Sequence, residues 1–243
     1  FTPGGKYFIC GKGDFFETST GKKVVSLYDE DDSGGDVVCF SPDGNYVVVG
    51  KYDELFKFNL NNVSIKTKIG PDISVNAVGF TGNKSDIVDT SDYGIFIYDL
   101  NTGLQSCILD KENSYTRLAV ENNRIFPLSW NGTKVINSKT YQIEQTIKNE
   151  VTEDSFSVSS DGKYIVFGKP FQNEISIHSL LQGKKIKTLY SRLEGTSGIC
   201  FSPDSKYFAT IDNDNKNFLT NSISIWSIEK NNIIKTVNMD SNI

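Results

Sequence analysis

"FSPDGNYVVVG", residues Phe40 to Gly50, reads as a strand end, a tight turn and a second strand. Pro42 pre-sets φ, the Asp43 side chain can bond the backbone two residues on, and Gly44 takes positive φ without steric cost. Tyr46-Val47-Val48-Val49 is a β-branched and aromatic run, the composition of a buried strand. The same hairpin recurs. "FTPGGKY" begins at Phe1, "VSSDGKY" at Val158 and "FSPDSKY" at Phe201, each with a tyrosine six positions after its apolar anchor. Weaker copies begin at Phe80 ("FTGNKSD") and, with a shortened turn, at Val120 ("VENNRIF"). The anchors are separated by 39, 40, 40, 38 and 43 residues. A period of about 40 residues is that of a propeller blade.

Each period continues in the same way. A second apolar strand follows the hairpin: "LFKFN" 55–59, "IFIYD" 95–99, "KVIN" 134–137, "ISIHS" 175–179 and "ISIWS" 223–227. A turn leads into an alternating strand: "KVVSLY" 23–28, "VSIKTKI" 63–69, "YQIEQTI" 141–147, "KIKTLY" 185–190 and "IIKTVN" 233–238. The reading is four short antiparallel strands per unit, named a to d, with no sustained helical period. A sheet sandwiched between two others buries both faces, so its inner strands are continuously apolar, while a half-exposed outer strand alternates with Lys and Gln. The predicted class is therefore all-β, a β-propeller of six four-stranded blades in one domain, 1–243. Its units run roughly over 1–34, 35–74, 75–114, 115–151, 152–195 and 196–243. Phe1 sits where strand a would end, so the first blade is expected to lack its inner strand, as in a piece of a longer propeller with room for a seventh blade.

At this level of detail the chain resembles the WD-repeat β-propeller family over essentially its whole length. "ISIWS" occupies that family's strand-c position, with Tyr98-Asp99, His178-Ser179 and Trp226-Ser227 in place of the Trp-Asp pair. Asp53 and Asp92 match the family's aspartate in the turn before strand c, and Asn131 is a weaker substitute. The family's Gly-His pair before strand a is absent, which makes the repeat divergent, and the "FSPDG" anchor is shared with YVTN-type propellers. The resemblance implies a non-catalytic scaffold for protein–protein interaction.

Composition narrows the function classes. The net charge of −5 argues against nucleic acid as the main ligand. No apolar stretch approaches a membrane span. The four cysteines read as buried free thiols, because Cys39 and Cys200 hold equivalent positions in units four blades apart and cannot meet in disulfide geometry. Free thiols suggest a reducing compartment, hence a cytoplasmic location.

Chemistry-bearing motifs are sparse. The single histidine, His178, falls in a strand-c position that is ordinarily packed. No nucleophile has a histidine and carboxylate at motif spacing, and no Cys/His cluster suits zinc. "DNDNKN" at 212–217 begins like a calcium loop, but its third ligand position is Lys216, so it reads as a solvated insertion. The expectation is no enzyme, no cofactor and no metal. The alternatives are a propeller domain gating a peptidase, and a lactonase-like propeller, which would need more histidine and arginine than this chain carries.

Charge supplies the candidate site. In a four-stranded meander the d–a and b–c loops leave one end of each sheet, and the a–b and c–d turns the other. The d–a loops 29–34, 70–74, 110–114, 148–154, 190–195 and 238–243 contain 12 acidic and 3 basic residues. The b–c loops 11–14, 51–54, 90–94, 130–133, 168–174 and 212–222 bring the net charge of that end to −12 against −5 for the whole chain. Much of the compensating positive charge lies in the opposite turns, at Lys6, Lys22, Lys23, Lys139, Lys184 and Lys185. The predicted partner is a basic protein segment, and the candidate binding residues are Asp29, Glu30, Asp31, Asp32, Glu112, Glu150, Glu153 and Asp154. The predicted core comprises Phe40, Phe80, Phe201, Val48, Val166 and Ala209, with Ile97, Ile177 and Ile225 beside them.

Overall fold

A computed structural model describes residues 1–10, 13–26, 37–51, 53–81, 85–111, 113–148, 155–169, 171–213 and 221–239, apart from the side chains of 51 and 62–65. The described residues form 23 strands and no helix. The first sheet has three strands, β1 (Tyr7–Cys10), β2 (Asp14–Glu17) and β3 (Lys23–Ser26). The second is β4 (Val37–Phe40), β5 (Tyr46–Lys51), β6 (Glu54–Asn59) and β7 (Asn62–Ile69). The third is β8 (Ala77–Phe80), β9 (Asp86–Ser91), β10 (Gly94–Asp99) and β11 (Gln105–Leu109). The fourth is β12 (Arg117–Glu121), β13 (Arg124–Ser129), β14 (Gly132–Asn137) and β15 (Ile143–Lys148). The fifth is β16 (Ser155–Val158), β17 (Tyr164–Gly168), β18 (Glu174–Ser179) and β19 (Lys184–Tyr190). The sixth is β20 (Gly195–Phe201), β21 (Tyr207–Asn213), β22 (Asn221–Ser227) and β23 (Asn232–Met239). All six follow chain order, so the chain is a six-bladed β-propeller of antiparallel meanders, its first sheet three-stranded among the described residues.

The repeated turn is built from one hydrogen-bond set. Ser41 N donates to the Tyr46 carbonyl at 2.9 Å, and Tyr46 N returns a bond to Ser41 Oγ at 2.9 Å. Thr2/Tyr7, Ser159/Tyr164 and Ser202/Tyr207 repeat both bonds. The fourth turn residue is left-handed each time: Gly5 at φ 70°, Gly44 at 72°, Gly162 at 69° and Ser205 at 59°. Glycine takes that conformation freely and serine does not. Ser205 has a compensating contact, since its Oγ accepts from Asp161 N at 3.0 Å, in the turn of the preceding blade. The shortened copy at Val120 becomes a two-residue hairpin with Asn122 and Asn123 both at positive φ, matching the right-handed twist of its strands.

By contact density the chain divides into two compact units, residues 1–129 with 136–142, and residues 130–135 with 143–243. In the first unit, β8 packs beside both β4 and β12. Phe15, Val47, Val49, Phe56 and Phe58 fill the space between the first two sheets. Val48, Leu55, Val75, Ile87, Phe96 and Tyr98 fill that between the second and third. Alternating strand residues thus serve two different cores, as a sheet buried on both faces requires. Asp92, in the b–c turn of the third blade, accepts from Asn76 Nδ2 at 2.9 Å and Ser114 Oγ at 2.9 Å, tying that turn to the loops before and after its own sheet.

In the second unit, β16 packs beside β20, and Val166, Ile175, Ile177, Leu189, Phe208 and Trp226 form the core. Val48, Val166, Ile97, Ile177 and Phe80 are buried as the repeat predicted. Ala209, Ile225, Phe40 and Phe201 are only half-buried, which corrects the expectation for those four. Ala209 and Ile225 pair across β21 and β22 on the face opposite Phe208 and Trp226, and it is the latter face that enters the core. Phe40 and Phe201 end the innermost strands of their sheets and pack with one side of the ring.

Candidate functional site

The meander order places the b–c and d–a loops of every sheet at the same end, so the geometry underlying the charge sorting is present in each blade. All eight predicted partner residues, Asp29, Glu30, Asp31, Asp32, Glu112, Glu150, Glu153 and Asp154, lie outside the described residues.

Several acidic residues of that end are described, and their charges are engaged. Lys68 Nζ lies 3.1 Å from Glu54 Oε1 and also bonds Asp72. Lys169 Nζ lies 3.0 Å from Glu174 Oε2, with Lys185 at 3.7 Å from Oε1. Lys23 lies 2.7 Å from Asp14. Lys23 and Lys185, assigned by sequence to the opposite turns, thus reach along their own sheets and neutralise part of the acidic end. Asp212 departs further from the solvated insertion read for 212–217. It is fully buried near the end of β21, where Ser224 Oγ donates to it at 2.6 Å. Among the described residues, no group of three or more His, Cys, Asp or Glu is placed to hold a metal ion.

The sequence reading overlooked aromatic exposure at this end. Tyr93 (65 % exposed), Trp130 (66 %) and Phe171 (80 %) stand in the b–c turns of three consecutive blades. Tyr190 ends β19 at the corresponding d–a loop and is 64 % exposed. A legible signal existed, since each b–c ring falls within three residues before strand c. Phe171, Gln172, Asn173, Glu174, Tyr190 and Glu194 line an open cleft of about 440 Å³. A second cleft, of about 300 Å³, lies along β4, β8 and β12, between the side chains of Cys39, Phe40, Val78, Phe80, Leu118 and Val120. Burial raises the Cys39 thiol pKa there.

His178 is packed as its strand position predicted. It is 5 % exposed, meets Phe167 edge-on at 5.1 Å, and has Nε2 3.2 Å from Ser176 Oγ. Burial, reinforced by Lys185, pushes its pKa down to about 4, so the ring is neutral at physiological pH. The four cysteines are free, but Cys10 and Cys200 are exposed rather than buried. Both end or approach the end of an inner strand on a sheet face that the neighbouring core does not use.

No protein-family model matches the chain, and no curated protein matches it in sequence. Among solved structures, it resembles a chain of Kuenenia stuttgartiensis hydrazine synthase with a TM-score of 0.75 and 13 % sequence identity. The match covers 88 % of this chain and 68 % of that one. At this identity the likeness is one of fold, and it supports the reading of six antiparallel sheets as propeller blades.

Proposed function

We propose that this chain is a non-catalytic, WD-repeat-like propeller that binds a basic segment of a protein partner through the loop end carrying Asp29, Glu30, Asp31, Asp32, Glu112, Glu150, Glu153 and Asp154. The observation behind this reading is the sorting of charge by sheet end, −12 at the b–c and d–a loops of a chain whose net charge is −5. Such an end attracts cations over distances of a Debye length and steers their encounter. Rigid sheets supply the scaffold and loops the contacts. The test is capture of a lysine-rich peptide by the wild type and by the fourfold reversal Asp29→Lys, Glu30→Lys, Asp31→Lys and Asp32→Lys. The expected result is capture at low ionic strength that added salt weakens and the reversal abolishes. Capture indifferent to both would end this reading.

The fold likeness to a hydrazine synthase chain favours one second reading, a propeller domain serving an enzyme whose reacting groups lie elsewhere. That reading predicts co-purification with an enzymatic subunit or domain in place of peptide capture.

A further inference from the structure

We infer that the exposed rings of the b–c turns, Tyr93, Trp130 and Phe171, are cation-receiving anchors for the lysine and arginine side chains of the partner, an inference that rests on the acidic-end reading above.

Among the described residues, exposed aromatic rings are more frequent at the b–c and d–a end of the sheets than at the other. At the a–b and c–d end, the most exposed large side chains in the turns between strands c and d are aliphatic, Leu104 (70 %) and Leu181 (92 %). Among the described residues, four of the six exposed aromatics stand at the other end: Tyr93, Trp130 and Phe171 in b–c turns and Tyr190 beside a d–a loop. Phe1 and Tyr207 are the exceptions. A single exposed ring needs no explanation. A ring at the same turn of three successive blades is a repeated feature, and a ring face attracts ammonium and guanidinium groups through its quadrupole.

The surroundings favour a cation over a neutral guest. Tyr93 follows Asp92, whose Oδ1 accepts from two neutral donors, Asn76 and Ser114, so its negative charge is held in place without being cancelled. Phe171 and Tyr190 flank the cleft that contains Glu174 and Glu194. There Lys169 and Lys185 already pair with Glu174, so at this corner the ring faces, and not that carboxylate, are what is offered to an incoming cation. The chain also forms this kind of contact internally, with Lys57 Nζ 5.3 Å from the Tyr46 ring centroid and Lys66 Nζ 3.6 Å from that of Phe56. Long-range attraction by carboxylates and short-range seating on rings are separable, because salt screens the first far more than the second.

The test uses the 243-residue chain and a fluorescein-labelled decalysine peptide, read by anisotropy at about 50 mM and about 300 mM salt. Trp130→Ala, Tyr93→Ala and Phe171→Ala should each weaken binding by about threefold or more at both salt concentrations, and Trp130→Phe should restore most of it. Because Trp226 is 2 % exposed, the peptide should quench the fluorescence of Trp130 alone, an effect lost in Trp130→Phe. Circular dichroism melts matching the wild type would show that the substitutions leave the fold intact, as expected for side chains this exposed. If the wild type binds decalysine and the three alanine variants bind it equally well, the rings are not anchors while the acidic-end reading stands. If the wild type binds no decalysine at the lower salt, both readings fall.

Discussion

Trp226 donates its indole Nε1–H to Thr210 Oγ1 at 2.9 Å, from strand c to strand b of the last blade, with both side chains buried. The same indole stacks on Phe208 with ring centroids 5.8 Å apart and an interplanar angle of 2°. The tryptophan of "ISIWS" therefore serves the blade twice, as apolar filler and as the partner that allows a hydroxyl to be buried.

Removing the donor should expose this dual role. Trp226→Phe keeps a stacking ring but leaves Thr210 Oγ1 buried without its partner, a loss of about 2–4 kcal/mol from the hydroxyl and the vacated volume together. Adding Thr210→Val should recover about 1 kcal/mol or more of this, because both ends of the broken bond are then apolar. Urea melts of the two single variants and the double variant measure the coupling. Strict additivity would mean that the hydrogen bond contributes nothing.

Gly50 is the penultimate residue of strand b in the second blade and Gly168 the last of strand b in the fifth, each ten residues after its anchor. A Cβ on Gly50 would lie 2.5 Å from Val75 Cγ1 and 2.6 Å from Val37 Cγ2. On Gly168 it would lie 2.7 Å from Thr196 Cγ2 and 2.8 Å from Ser155 Oγ. Val75 and Thr196 both belong to the segment that enters the following blade, so the glycines mark where that segment crosses. Gly50→Ala and Gly168→Ala should each destabilise by about 1–3 kcal/mol through overpacking. Thermal denaturation of either variant at the wild-type temperature would contradict the close approach.

The carboxyl of Asp89 is 1 % exposed between apolar neighbours, with Tyr98 Oη 3.4 Å from Oδ2 and no partner on Oδ1. Burial pushes its pKa up to about 7, against a modest opposing effect of the tyrosine hydroxyl. Because the folded value exceeds the unfolded one, the folded state holds the proton more tightly. Stability is full below pH 4 as far as this group is concerned, falls as pH rises through the window from about 4 to 7, and levels off above it. Asp89→Asn should therefore flatten this part of the pH–stability curve and stabilise the protein at pH 8 by a few kcal/mol on an order-of-magnitude scale. Parallel pH profiles for wild type and variant at pH 4–8 would disprove the assignment.

Ser159 is fully buried and its hydroxyl closes the turn of the fifth blade. Oγ accepts from Tyr164 N at 2.9 Å and Lys163 N at 3.2 Å and donates to Asp161 at 2.8 Å. Ser159→Ala should cost about 1–3 kcal/mol, and hydrogen exchange at the Tyr164 amide should accelerate more than in the equivalent turn at Ser41, which the substitution leaves untouched. Equal protection in the two turns would refute the role of the hydroxyl.

What the sequence alone determined was everything governed by local chemistry repeated at a fixed period. The turn from Ser41 to Tyr46, its left-handed fourth residue and the flanking apolar runs are properties of a few adjacent residues. The sequence places strand c of the last unit at 223–227, where the structure has Asn221–Ser227, and strand d of the second at 63–69, where it has Asn62–Ile69. Tertiary structure decided which side of a strand is covered and which charges are spent within the fold. Ala209 and Val166 occupy the same place in their repeats, yet Val166 enters a core and Ala209 does not, because the core of the second unit takes the Phe208 and Trp226 face of the last sheet. Asp212, which the sequence places in a solvated loop, is buried against Ser224, and Lys185 reaches Glu174 eleven positions earlier in the chain. Burial and ion pairing depend on neighbours brought together from distant parts of the chain, and a local pattern carries no information about those.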